Sequence, residues 1–401
     1  MEPARVPTVV GVGAVSPAGI GAEAMWRVIT TGAVTTGPVT RYDLSAYPTD
    51  RAGEVPADAV ARLDTLVPEH RCLAARFLAA AVLEALTQAG LDQTRPGRRV
   101  GAYVGTVMGV RPTLDRGVRP GHVATADPLW SRPERVLDVL HEVVAVDGPS
   151  VLAAPGCAAG NAALAMGAAA LLAGEVDVAV CAGVDELSLE VFAMFTAMRG
   201  LAPDVVRPFD AERRGTMPSE GAGVLILERA ADARARGARA MARVLAHASL
   251  ADAHHMTQPH PQGAAVVGTV RACLRRAGLG PRAVGWVCAH GTGTPASDAI
   301  EARALGTALR DPDRPPPVSS IKGTLGHAVG AAAALEAIAG TLALDRQAVP
   351  GNPTLVRPDP GCEGVDLVES GGRAGPVGAV VSPAFGFGGA VTTVLLGGCH
   401  E

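Results

Sequence analysis

The chain has 401 residues, 48% of them hydrophobic and 18% charged, with a net charge of −4 and a pI near 6.2. That is enough apolar material for a large core, and the length corresponds to about two or three units of ~150 residues. Weak acidity, no basic patch and only 3% aromatic residues argue against a nucleic-acid partner.

The N-terminal stretch MEPARVPTVVGVGAVSP lacks a basic segment followed by a long apolar core, so no secretory signal is expected. The seven cysteines are scattered and none form CxxC pairs, which predicts neither zinc nor a disulfide framework. An odd number of them fits reduced thiols and a cytoplasmic location.

In chain order, PTVVGVGAVS reads as a strand and turn, and RFLAAAVLEALTQAG has helical apolar spacing. RRVGAYVGTV and GPSVLAAPG read as strands, NAALAMGAAALLAG as a helix, VDVAVCAGVD and GAGVLILERA as strands. ERAADARARGARA is charged, reads as exposed, and marks a boundary between halves at 1–235 and 236–401. The theme then repeats. AAVVGTVRACLRRAG is helical, VGWVCAHG a strand, and SDAIEARALGTAL a helix. AVGAAAALEAIAGTLAL is apolar for about one helix but contains Glu336, so it reads as a buried core helix and not a membrane span. VGAVVSPAFGFGGAVTTVLL closes as two strands about a glycine-rich turn. Alternation of this kind predicts an α/β protein with helices covering sheet faces.

Four places could carry chemistry. Cys157 sits between a strand and an Ala-rich helix, where free N–H groups and the helix dipole are expected to favour thiolate. His290 follows a strand in HGTGTxxxD, with Thr292 and Thr294 at alternate positions and Asp298 closing the motif. Lys322, in SSIKGTLGH, is the sole lysine among 35 basic residues, five positions before His327. An ammonium is compact and has three rotatable donors, so a crowded polar site can accept it where a flat guanidinium is refused. FGFGG, Phe385 to Gly389, places two phenylalanines between glycines that permit close approach of a ligand.

Cys157, His290, Lys322, His327 and FGFGG, in this order, make the chain similar to the β-ketoacyl-ACP synthases of the thiolase superfamily, of the elongating, free-standing type. GVGAVSPAGIGAEAMW, RPFDAERRGTMPSEGAGVLILE and DAHHMTQPHPQG resemble further segments of that family, so the resemblance spans the chain. It implies a thiolase-like fold of duplicated βαβαβαβ halves in an α/β/α/β/α five-layered core. It implies an acyl-Cys157 intermediate and an oxyanion hole from the N–H groups of Cys157 and Phe387, the latter also gating. His290 and His327 would hold a malonyl thioester, with Lys322 and its partner Glu336 keeping the His327 imidazole neutral. Thr292 and Thr294 would bind the phosphopantetheine arm of an acyl carrier protein, and no permanently bound cofactor is implied. Phe195 and Met108 would line the acyl pocket, Phe385 would bind substrate, and Arg199 would stand near the pantetheine entrance. The partners implied are the carrier protein and a second subunit, in a homodimer or a heterodimer with a chain-length factor.

The sequence also departs from the family. Ala390 and Val391 replace a Thr-Asn pair after FGFGG, PGCAAGN surrounds the cysteine, and Ser219 opens SEGAG. GHVATADPLWSRPERV matches poorly, in the region expected to border the acyl tunnel and dimer contact. These departures favour a specialised pathway. A ketosynthase-like acyltransferase forming an ester or amide remains an alternative. The intact nucleophile and histidines weigh against a non-catalytic partner, and the lack of a second cysteine near FGFGG against a thiolase.

Overall fold

All ten residues of Pro7–Ser16 (β1) are buried, as expected of an apolar strand covered on both faces. Four more strands complete the first sheet: Val100–Gly105 (β2), Ser150–Ala153 (β3), Val178–Asp185 (β4) and Gly221–Arg229 (β5). The second sheet has Ala242–Ala251 (β6), Val284–Cys288 (β7), Pro317–Ser319 (β8), Ala379–Gly386 (β9) and Ala390–Gly397 (β10). The computed structural model describes residues 2–66, 72–91, 97–109, 132–311 and 313–399, with backbone alone at 118–119 and 122–123. The poorly matching stretch that precedes Arg132 therefore lies outside the described side chains.

The two sheets have the same topology. The first runs β1-β5-β4-β2-β3 and the second β6-β10-β9-β7-β8. In each, the first two pairings are antiparallel and the last two parallel. Two ladder positions, Thr8 with Arg243 and Val9 with Ala242, join the sheets edge to edge. With the short strands Gly19–Ile20 and Asp366–Leu367 the array counts 12 strands.

Helices fill three layers around these sheets. Leu73–Ala89 (α1) covers the outer face of the first sheet. Ala264–Ala277 (α4) and Pro295–Ala308 (α5) cover the outer face of the second. Ala159–Ala173 (α2) and Ala332–Arg346 (α6) lie between the sheets, in a core drawn from both halves, and Leu189–Ala197 (α3) joins an apolar cluster with Cys157. Every residue from Ala332 to Leu344 is buried, which is why α6 has no polar face. With its preceding turn, α2 has the length and hydropathy of a membrane span, and 61% of it is buried inside the protein. Small residues set the helix spacing: a Cβ at Gly160 would strike the backbone of Ala334. The expected five layers are present. The sequence reading passed over β6 and β8, although β6 alternates buried and half-buried residues over its first seven positions.

Candidate active site

Between β3 and α2 the chain makes a three-residue 3-10 turn, Gly156–Ala158, and Gly156 has φ of 62°. That left-handed backbone is unstrained for glycine alone. A Cβ at Gly156 would lie 3.0 Å from Gly386 Cα and 3.1 Å from Phe387 N. The elbow and the FGFGG turn thus meet through bare backbone. Cys157 follows, buried, at the N-terminal end of α2.

The expectation of a thiolate is corrected here. Burial pushes the Cys157 thiol up to about 12, with Lys322 opposing the rise and Asp185 and Glu336 adding to it. Taking a thiolate out of water outweighs the favourable charges around it. The resting group is a thiol, and it must lose its proton once a substrate is bound.

His290 is placed by the loop that follows β7. Its backbone N–H donates to Glu301 Oε1 at 2.7 Å, and Gly291 N–H donates to Glu301 Oε2 at 2.8 Å. Asp298, on the same face of α5, accepts from Gly293 N–H at 3.1 Å and from Phe209 N–H at 2.9 Å. Both carboxylates are fully buried. Burial raises Glu301 to about 8 and Asp298 to about 6. The sequence analysis does not single out Glu301. Its spacing from Asp298 puts the two on one helix face, and that is the signal that could have found it.

Lys322 is 1% exposed and paired with the equally buried Glu336. Burial lifts Glu336 to about 7 against the pull of Lys322. Lys322 Nζ also lies 3.5 Å from His290 Nδ1. An ammonium can only donate, so Nδ1 is the acceptor and the neutral ring carries its proton on Nε2. The sequence reading directed the lysine at His327; its polar contact is with His290, and its charge acts on both rings. Burial first and Lys322 second hold His290 well below the usual histidine range, and the same two causes act on His327.

His327 is fixed through its backbone. Its N–H donates to Met217 O at 2.8 Å, and its carbonyl accepts from Ser219 N–H at 2.9 Å. The two imidazoles stand edge to face, 5.4 Å apart and at 89°. Phe385 lies 4.9 Å from the His290 ring, and Phe195 lies 6.4 Å from His327 and 6.0 Å from Phe387.

Cys157, His290 and His327 open into one cavity of about 310 Å³. Thr292, Thr294, Phe195, Arg199, Phe385 and Phe387 are on its wall. Met108 is not; it packs with Cys157 and Phe195 in the apolar cluster behind. Asp298, Lys322 and Glu336 also stand behind the wall and act through the residues they hold. Asp252 and Met256, from DAHHMTQPHPQG, line the mouth, where Gly388 N–H donates to Met256 O at 2.8 Å. Ala390 and Val391 present apolar surface there.

The chain matches the family model "Beta-ketoacyl synthase, N-terminal domain" over residues 7–233 and "Beta-ketoacyl synthase, C-terminal domain" over residues 241–355. A 3-oxoacyl-[acyl-carrier-protein] synthase 2 of Coxiella burnetii is 30% identical over 413 residues, covering 99% of both chains. A putative polyketide beta-ketoacyl synthase 1 of Streptomyces halstedii is 32% identical over 411 residues, covering 97% of both. The solved ishigamide ketosynthase/chain length factor superposes with a TM-score of 0.91 at 31% identity, over 99% of this chain and 100% of that one.

Proposed function

The chain belongs to the β-ketoacyl synthase family, and from that premise we propose that it condenses an acyl group held on Cys157 with malonyl-carrier protein to give a 3-oxoacyl-carrier product. One observation carries this reading: a buried thiol and two imidazoles, both kept neutral by burial and by Lys322, share one cavity. The division of labour follows the halves, with residues 1–235 supplying the nucleophile and 236–401 both histidines.

In the first half-reaction, Cys157 Sγ attacks the thioester carbonyl of an acyl-carrier. The backbone N–H groups of Cys157 and Phe387 take the oxyanion; the contact between Gly156 and Phe387 supports that pairing. The C–S bond to pantetheine breaks, and the thiol proton leaves with the pantetheine sulfur. Malonyl-carrier then enters past Thr292 and Thr294, whose hydroxyls lie 3.0 Å apart on the wall. Nε2–H donors of His290 and His327 bind its thioester oxygen. The C–C bond to the carboxylate breaks, CO2 departs, and the electron pair becomes an enolate stabilised by those two donors. The enolate carbon attacks acyl-Cys157, the C–S bond breaks, and the thiolate takes a proton from solvent.

The rings stay neutral because burial, and then repulsion by Lys322, disfavour an imidazolium there, so each can offer an N–H donor while its other ring nitrogen stays unprotonated. Phosphopantetheine enters as the arm of the carrier and is not a resident cofactor. The ishigamide ketosynthase/chain length factor supports a second subunit, either another copy or a chain-length-factor-like partner, and the free cysteines fit a cytoplasmic protein. The apolar Ala390 and Val391 favour a specialised polyketide or fatty-acyl pathway.

The test is intact-mass analysis of the chain and its Cys157→Ala variant with acyl thioesters and malonyl-carrier, read with CO2 release. Acylation that needs Cys157, CO2 release and an extended 3-oxo product establish a condensing enzyme. Acylation with neither CO2 nor extension, even with a partner subunit added, points to the ester- or amide-forming alternative.

A further inference from the structure

We infer that Asp185 is a positioning residue for His327: in the second half it fills the anion site that the first half leaves open for reaction. The inference rests on the condensing reading for its kinetics but not for its geometry.

The two inner helices begin alike. Each has 15 residues and follows directly on a three-residue 3-10 turn, Gly156–Ala158 before α2 and Val329–Ala331 before α6. Each turn opens on a residue with left-handed backbone, Gly156 at 62° and Val329 at 49°. Gly330 is therefore the counterpart of Cys157. The end of β9, at Gly386, packs on the first turn; the end of β4, at Asp185, packs on the second. Where the first elbow turns its N–H groups toward a reacting carbonyl, the second turns Gly330 N–H onto Asp185 Oδ2 at 2.7 Å. A Cβ at Gly330 would stand 2.5 Å from that oxygen.

Asp185 is completely buried and makes contacts beyond this one. It accepts from Thr106 Oγ1 at 2.7 Å, Val107 N–H at 3.0 Å and Met108 N–H at 2.8 Å. One carboxylate thus ties the loop after β2 to the turn before α6. That turn needs a tie. Val329 is β-branched, and positive φ in such a residue is strained unless its surroundings hold it. Val329 comes two residues after His327 and shares an apolar cluster with Cys157 and Met108. Releasing the turn would let His327 move relative to His290 and the nucleophile.

The test compares wild type, Asp185→Asn and Gly330→Ala, the last approaching the same contact from the other side. Asparagine keeps one acceptor oxygen and turns an NH2 toward N–H donors. Crystal structures are expected to show Val329 leaving the left-handed region and the His327 ring displaced by about 1 Å, a shift that can reduce rate about 100-fold. Malonyl-carrier decarboxylation is expected to fall about 30- to 100-fold while acylation of Cys157 stays within about threefold. An unmoved turn and ring in a folded variant overturns the inference, and so does an equal fall in both half-reactions. If wild type performs neither half-reaction, the condensing reading fails and the structures still decide the role of Asp185. If wild type performs both and the variants match it, only the inference fails.

Discussion

The two halves share strand order, strand directions, inner helix and elbow, yet only the first elbow carries a nucleophile. The difference lies in what connects strand to elbow. In the first half residues 154–155 suffice between β3 and the turn; in the second, residues 320–328 intervene and bring in Lys322 and His327. The loops after β2 and β7 differ as well, and each is pinned by a carboxylate from a different kind of element, Asp185 at the end of β4 and Glu301 on α5. Asp185 holds two successive N–H groups of one loop and Glu301 two of the other, but only the second loop carries an imidazole. A duplicated frame thus supplies matched sheets and elbows, and the chemistry sits in what each copy adds.

If the labour is divided in this way, it can be cut. Cys157→Ala should abolish acylation and lower condensation by at least about 10⁴-fold, yet leave malonyl-carrier decarboxylation measurable as CO2 release. His327→Ala should do the reverse, reducing decarboxylation about 10²- to 10³-fold while mass analysis still finds acyl-Cys157. Equal loss of both activities in either variant breaks the comparison.

Lys322→Arg is expected to reduce condensation about 100-fold, since a guanidinium displaces the rings it should support. Lys322→Met sharpens the point through pH. Both histidines are held below the ordinary value of 6.5, so the neutral, working form persists on acidification below that pH. Removing the repelling charge raises both, and the acid limb of the rate profile should move up by about one pH unit. A limb that stays in place shows that burial alone keeps the rings neutral.

Smaller effects test the elbows. With the Cys157 thiol pushed up to about 12, its alkylation by iodoacetamide should climb tenfold per pH unit from pH 7 to 10. A plateau below pH 8 restores the thiolate that the elbow position led us to expect. Gly156→Ala should destabilise the fold by about 1–3 kcal/mol, because it adds a strained φ and a close approach to Gly386. At the matching position Val329→Gly should change stability by less than about 1 kcal/mol, since relief of strain offsets the lost burial. Thermal melts of the two variants measure this asymmetry.

Much of this protein was legible before any fold was drawn. Cys157 before an Ala-rich helix, HGTGTxxxD, the solitary lysine and FGFGG each name a chemical group and a local backbone, and those are short-range properties. The alternation of apolar strands and helices likewise specified two layered halves. What the chain could not announce was whatever depends on distance across the fold. The state of the Cys157 thiol depends on how much water the folded protein excludes. Which ring meets Lys322 depends on how β7 and the turn after β8 sit side by side. Glu301 and Asp185 read as ordinary acids in the sequence. They become clamps only where tertiary packing removes solvent and leaves backbone N–H groups as their partners.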